Sequence, residues 1–392
     1  MKSHQFDVIV AGGGVIGLTA ALAMAQRNFS VALLDAGDLE INSLAKPDLR
    51  VYAINHASQH LLTQLGAWEL IDQSRVSPYL HMHVWDAVTL ACIEFDARLI
   101  ASPNLGTIIE ETIIKNALLK RLAKEQKVTL FPRHKITQVN SKSQPITLTS
   151  NDEIWRSKLL LVTDGANSPI RKMLGAQVTS WPYHQHALVT TVRTEKPHQE
   201  TAYQVFNPDG PLAFLPLVDK NLCSIVWSTT PQQVNQLIAL ENETFNEVLS
   251  KAFAYKLGQV RVVSMRHQFP LIMRHTKQYV GKNWLLLGDA AHTIHPLAGL
   301  GLNVGLADIT TWLNCLDKSA NKSFSTKALT AYQRERKYAV WQVIALMGGL
   351  KTLFANPLPP IVTLRQVGLT FCNQFTPLKR LFIEQAVGQS LK

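Results

Sequence analysis

A six-residue glycine pattern near the amino terminus narrows the fold more than any other feature of this chain. Gly12-Gly13-Gly14-Val15-Ile16-Gly17 fits GxGxxG and follows an apolar run, Phe6 to Ala11, that reads as a buried strand. The first glycine permits a tight turn, the second lets the backbone approach a pyrophosphate, and the third lets the next helix pack closely on the sheet. Leu18 to Arg27 reads as that helix, and Val31 to Leu34 as a second strand ending at Asp35. An acid at this strand tip is placed to accept hydrogen bonds from adenosine ribose hydroxyls, which argues against a 2′-phosphate. Gly12, Gly14, Gly17 and Asp35 are therefore candidate dinucleotide-binding residues.

Two more buried strands end on carboxylates. Leu159 to Thr163 runs into Asp164-Gly165-Ala166-Asn167-Ser168-Pro169-Ile170-Arg171, and Trp284 to Leu287 runs into Gly288-Asp289. After Asp289 come Pro296 and a glycine-rich turn, then Gly301-Leu302-Asn303, which opens a pattern with Leu302, Leu306 and Ile309 at helical spacing. A helix start directs unpaired N–H groups outward and favours negative charge there.

The 392 residues are enough for two domains sharing a large core, and 46% hydrophobic with 17% charged residues is a globular balance. Cys92, Cys223, Cys315 and Cys372 are scattered without a CxxC pair or a neighbouring histidine spacing, so neither a disulfide framework nor a zinc site is expected. No signal peptide is expected, and no apolar stretch reaches the roughly 18 uncharged residues of a membrane span. A cytoplasmic protein with reduced thiols follows. The net charge is +11, and from Ser323 onward nine Lys and Arg face two acids, a local balance of +7. Without basic runs interleaved with aromatics, nucleic acid is not expected. A solvated basic face, or contact with an anionic membrane surface or an acidic protein partner, remains open.

GDAAHTIHPLAGLGLNVGLAD, the DG segment at Asp164 and the amino-terminal glycine pattern together resemble the motifs of the FAD-dependent aromatic hydroxylases, in the branch that hydroxylates ubiquinone precursors. RVYAIN, VWD at Val84 to Asp86, ALVTTVRTEKPH and CSIVWS carry the resemblance across nearly the whole chain, Val8 to about Gly388. It implies an α/β fold: a Rossmann-like FAD-binding domain of the glutathione-reductase type (1–74, 106–181 and 273–322), an inserted antiparallel-sheet substrate domain (75–105 and 182–272) and a C-terminal amphipathic helical region (323–392). Phe206, Phe214, Leu215, Pro216 and Trp227 would supply an apolar pocket.

The resemblance also implies bound FAD, transient NADH or NADPH, and O2 as co-substrate. Asp289 would bind the ribityl or pyrophosphate region, Gly301, Leu302 and Asn303 the flavin, and Arg50 would lie beside it. Asp164 and Arg171 would sit where FAD and the nicotinamide donor both approach, with Asp164 also a cofactor-binding residue. Pro296 would lie against the isoalloxazine, and His295 is the candidate for polarising a phenol hydroxyl. Three positions depart from the family pattern: Glu111 stands where an amide is usual, Thr163 for Ala, and Leu300 for Gln. The implied reaction is ring hydroxylation of a 2-polyprenylphenol, with C5 favoured over C6 and C1. A flavin reductase without oxygen insertion and a non-catalytic flavin-bearing assembly subunit are the alternatives.

Overall fold

The computed structural model describes residues 2–42, 48–294, 300–320 and 323–388. The glycine pattern lies where its spacing requires. Ser3–Ala11 is a strand, Val15–Ala25 a helix whose cap is Gly14, and Val31–Leu34 the next strand. Parallel pairing puts Val128–Phe131, Val31–Leu34, Ser3–Ala11 and Glu153–Val162 side by side, and Trp284–Leu286 pairs with the carboxyl half of Glu153–Val162. The amino half of that strand instead pairs with Ile146–Ser150, which pairs with Ile136–Asn140.

Register does the organising. Ala11 lies opposite Leu34 and Val162, and Val162 opposite Leu286, so four strands end in one row. The segments that follow them, at Gly12, Asp35, Thr163-Asp164 and Leu287 to Asp289, consequently emerge along one edge, the carboxyl edge where parallel sheets bind ligands. The strands are buried on both faces, as their continuous Val, Ile and Leu runs require.

A nine-stranded sheet forms the second layer. Its long strands, Val178–Thr194 and His267–Thr276, pair antiparallel and cross the expected boundaries at 182 and 272. Leu222–Thr229, Gly210–Pro216 and Thr201–Asn207 follow antiparallel, then His81–Asp86 pairs parallel and Cys92–Asp96 antiparallel. The β-rich reading of 182–272 needs one correction: Pro231–Ala239 and Asn242–Ala252 are helices, with Val234, Leu237, Phe245 and Leu249 buried at helical spacing. A small sheet, Val51–Ile54 with Gly106–Glu110 and Ser77–Tyr79, joins the two layers.

The chain ends in three helices, Thr326–Ala355, Pro359–Gln374 and Thr376–Ala386. The first is long and apolar enough, by length and composition, to cross a membrane, although Lys351 interrupts its uncharged run, as expected of this chain. Its inner face nevertheless packs on protein, with Tyr332, Val340, Ile344, Met347 and Phe354 buried. The basic excess also proves partly internal. Arg336 is paired with Asp308, Arg365 with Asp86, and both arginines are buried.

Candidate functional site

A cavity of about 430 Å³ opens between the carboxyl edge of the parallel sheet and one face of the antiparallel sheet. Gly14, Gly165, Gly288, Asp289, Gly301, Leu302 and Asn303 line one end. Ala213, Leu215, Val226, Met82 and Tyr79 line the other.

The glycines at the first end fall into two kinds. Gly12, at φ +112°, would place a Cβ 2.5 Å from the Thr163 carbonyl oxygen, and a Cβ on Gly17 would collide with the Gly12 carbonyl oxygen. These two are needed by the fold. Gly14 has nothing within 4 Å of its Cβ position, and Gly301 likewise, so both leave open space beside the cavity. Asp35 accepts from the N–H of Gly13 at 2.5 Å and of Gly37 at 2.7 Å, which fixes its carboxylate at the strand tip.

Helix Leu300–Asp317 starts at the cavity and closes on the glycine turn. A Cβ on Gly305 would stand 2.8 Å from the end of the Ile16 side chain and 3.2 Å from the Gly288 Cα, so the glycine lets the helix lie close against this turn. Asn303 does more than expose its N–H. Its Nδ2 donates to the Ala53 carbonyl at 2.7 Å and its Oδ1 accepts from the Asn55 N–H at 3.1 Å, so the side chain pairs with that segment as a strand would. Asn55 in turn caps helix His56–Gln64 through the Ser58 N–H.

The carboxylates at the sheet edge differ in their partners. Asp289 lines the cavity and is exposed to it, with no hydrogen-bond partner among the described residues. Burial raises its pKa, against the pull of His292, Arg50 and Arg274. Asp164 is also raised by burial, against several hydrogen bonds; one oxygen accepts from the Ile170 N–H at 3.2 Å, and the other is buried and unpartnered. Arg171 is only 3% exposed and donates to the carbonyls of Ala290 at 2.8 Å and Ala166 at 2.9 Å, lashing the Asp164 turn to the Asp289 turn. Arg50 is largely exposed, 3.5 Å from Glu111 and over the Phe269 ring. His295 and Pro296 lie outside the described residues.

Sequence reasoning missed the network behind this wall. Asp308 is fully buried and accepts from the Gly288 N–H at 2.8 Å, His292 Nε2 at 2.8 Å and Arg336 Nε at 2.6 Å. Burial alone would raise this carboxyl, yet His292 and Arg336 hold it below its ordinary value. Asp308 stands one turn after Val304 in an apolar helix, and an acid there was the available signal. Two placements were also not visible. Glu111 reaches the cavity and accepts from Tyr52 Oη at 3.2 Å. His83, Cys92 and Glu94 meet across paired strands within 4.8 Å, a grouping that sequence spacing concealed, with His83 hydrogen-bonded to Glu94 at 2.9 Å.

Of the five residues expected to form the apolar pocket, Leu215 alone lines the cavity. Phe214 and Trp227 face the opposite side of the sheet with Phe245 and Phe253, and Phe206 stacks on Phe354 at 3.9 Å. The cavity face carries Ala213, Leu215, Val226 and Ser228. Smaller side chains are what leave room there.

An FAD-binding-domain family matches residues 5–346 of this chain. The chain belongs to that family. The 3-demethoxyubiquinol 3-hydroxylase of Escherichia coli is 33% identical over 394 residues, covering 99% of this chain and all of the relative. The human ubiquinone biosynthesis monooxygenase COQ6, mitochondrial, is 33% identical over 427 residues, covering 95% of this chain and 91% of its own. The crystal structure of p-nitrophenol 4-monooxygenase PnpA from Pseudomonas putida DLL-E4 superposes with a TM-score of 0.80 at 18% identity, covering both chains fully. The protein is thus an FAD-dependent aromatic hydroxylase of the ubiquinone-pathway branch, using O2 and NAD(P)H. Its residues fit FAD: Gly14 and Gly301 leave space, Asp289 faces the cavity, and one buried Asp164 oxygen has no partner.

Proposed function

We propose that this chain hydroxylates the aromatic ring of a polyprenylated phenol in ubiquinone synthesis, with C5 of a 2-polyprenylphenol as the favoured position. The observation that carries this is the continuity of one cavity from the glycine wall to an apolar sheet face. FAD, when bound, supplies the redox chemistry that takes electrons from NAD(P)H and delivers one oxygen atom of O2. The protein's own contribution is placement, exclusion of water and charge.

Gly12, Gly14, Gly17 and Asp35 would hold the adenosine half, and Asp289 the ribityl or pyrophosphate region. The first turn of helix Leu300–Asp317, at Gly301, Leu302 and Asn303, would favour negative charge by about 0.3 to 2 kcal/mol through its free N–H groups. Arg50 would flank the cofactor. Asp164 would meet the donor, and Arg171 would serve that site by holding its turn in place, since its guanidinium is committed to two carbonyls. Pro296 would pack at the ring, and His295 would polarise the phenol hydroxyl. A cytoplasmic location against an anionic membrane surface suits a substrate of this kind.

A second reading is favoured by whole-length identity to the Escherichia coli enzyme: hydroxylation of a demethoxyubiquinol at its ring position 3. Product analysis separates the two. Purified protein, NAD(P)H and oxygen-18 gas with each short-chain substrate should give one labelled oxygen, at C5 of the phenol or at position 3 of the demethoxyquinol. Flavin reduction without label in either product would overturn both and bring back the reductase.

A further inference from the structure

Between Tyr338 and Leu378 the only charged side chains are Lys351 and Arg365. Both point inward: Lys351 donates to the Tyr183 carbonyl at 2.7 Å and lies over the Tyr183 ring, and Arg365 is buried on Asp86. The outer surface of this segment therefore carries no side-chain charge. What it carries instead is apolar. Leu364, Val367, Phe371 and Phe375 recur at three- and four-residue spacing along one outward stripe and are 62%, 60%, 56% and 48% exposed. Phe371 and Phe375 stack on each other, with 5.6 Å between ring centres. Trp341 and Leu346 are exposed on the preceding helix.

We propose that the outward face of helix Pro359–Gln374 is the surface on which the enzyme lies on an anionic bilayer. Three observations select this occupant. Basic residues outnumber acids in sequence on both sides of this segment, Arg334 and Lys337 with Glu335 before it and Lys379 and Arg380 with Glu384 after it, a balance that draws an amphipathic element to anionic headgroups. The opposite face of the helix is fixed to the protein through Arg365 and Asp86, so the helix lies in the interface and does not span it. The cavity's apolar end is continuous with this region: Met82 lines the cavity and also belongs to the apolar clusters containing Leu369 and Cys372 on one side and Ile383 on the other. A prenyl chain leaving the cavity past Met82 would enter the bilayer without crossing water. The purpose rests on the prenylated substrate proposed above; the docking itself does not.

The test uses the FAD-loaded full chain and the variant Leu364→Glu/Val367→Glu/Phe371→Glu, whose side chains touch neither cavity nor core. Vesicles of phosphatidylethanolamine with phosphatidylglycerol and cardiolipin should co-sediment the wild type. The variant should lose at least about tenfold in partitioning, as expected for carboxylates forced against an apolar boundary. Its FAD content and its turnover of a short-chain, water-soluble substrate should stay unchanged, and turnover of a long-chain substrate held in vesicles should drop by a similar factor. Val367→Glu alone gives the same direction with less disturbance. Equal vesicle binding by wild type and variant would overturn the proposal. So would a wild-type dimer in the ultracentrifuge, indifferent to vesicles, that the variant dissociates, since the stripe would then seat a second copy. Variant-sensitive vesicle binding without turnover of any phenol would leave the docking surface standing and remove the substrate reading.

Discussion

Two regions meet at the cavity and are held together in different ways. In the glycine wall, Gly12 and Gly17 bring backbone against backbone, and those close approaches exist because a side chain is missing, while Gly288 and Gly305 close around the Ile16 side chain. In the C-terminal helices, contacts are made by large side chains and buried ion pairs whose partners are distant in sequence, 28 residues apart for Asp308 and Arg336 and 279 for Asp86 and Arg365. At Gly12 and Gly17 the first region tolerates no added atom; the second tolerates no unpaired charge.

The sharpest break of the first region is Gly17→Ala. The new methyl would overlap the Gly12 carbonyl oxygen, a backbone atom that cannot move without breaking the turn. We expect no FAD-loaded, soluble protein from this variant, measured as flavin absorbance in the purified fraction. Normal flavin content would show that the two backbones can separate and that the wall is softer than its geometry.

In the second region the corresponding break is Asp308→Asn. An amide there cannot accept from Gly288, His292 and Arg336 together and turns a donor toward the Arg336 guanidinium. Stripping a buried charge of its partner costs about 3 to 5 kcal/mol, read as a fall in denaturation midpoint. A loss under about 1 kcal/mol would mean that water reaches Arg336.

These two variants also mark what the sequence made legible. A rule written into local spacing, such as GxGxxG or a strand ending on an acid, survives translation into structure: Gly12, Asp35, Asp164 and Asp289 emerge on one sheet edge as expected. Alternation in a strand defines two faces without naming the inner one, which is why Phe214 and Trp227 were assigned to the cavity and pack on its far side. Arg336 and Arg365 read as surface charge because nothing nearby in sequence announces Asp308 or Asp86. The helices at 231–252 were overlooked between strands whose apolar runs dominated the reading.

The joint between the regions should respond to pH. His275 packs against Trp341 of the long helix at 4.8 Å and Tyr279 at 5.5 Å between ring centres. Burial, aided by Lys337 and His292, pushes its pKa down from 6.5 to about 4. Below pH 6.5 the unfolded chain binds a proton that the folded chain refuses, so stability present above 6.5 is lost progressively toward pH 4. The loss amounts to on the order of 3 kcal/mol, at about 1.4 kcal/mol per pKa unit. His275→Phe retains the ring packing and should flatten this part of the stability profile. An unchanged slope would assign the pH dependence to other groups.

The smallest expected effect on stability is the most discriminating one for the glycine wall. Gly14→Ala adds a methyl where nothing lies within 4 Å, at a residue with φ −72° and ψ 177°, values that alanine adopts freely. Alanine caps a helix less well than glycine, by about 0.5 to 1 kcal/mol, but it also stiffens the unfolded chain by a similar amount, so apoprotein stability should change by only a few tenths of a kcal/mol. The methyl would nonetheless occupy the space in which the resemblance puts the pyrophosphate, so FAD affinity should fall by about tenfold or more, a difference of about 1.4 kcal/mol. Titration of apoprotein with FAD, beside a thermal melt without it, reads the two quantities separately. If both change together, Gly14 belongs with Gly12 and Gly17 as a residue required by the fold; if affinity alone falls, the wall contains one glycine kept for the ligand.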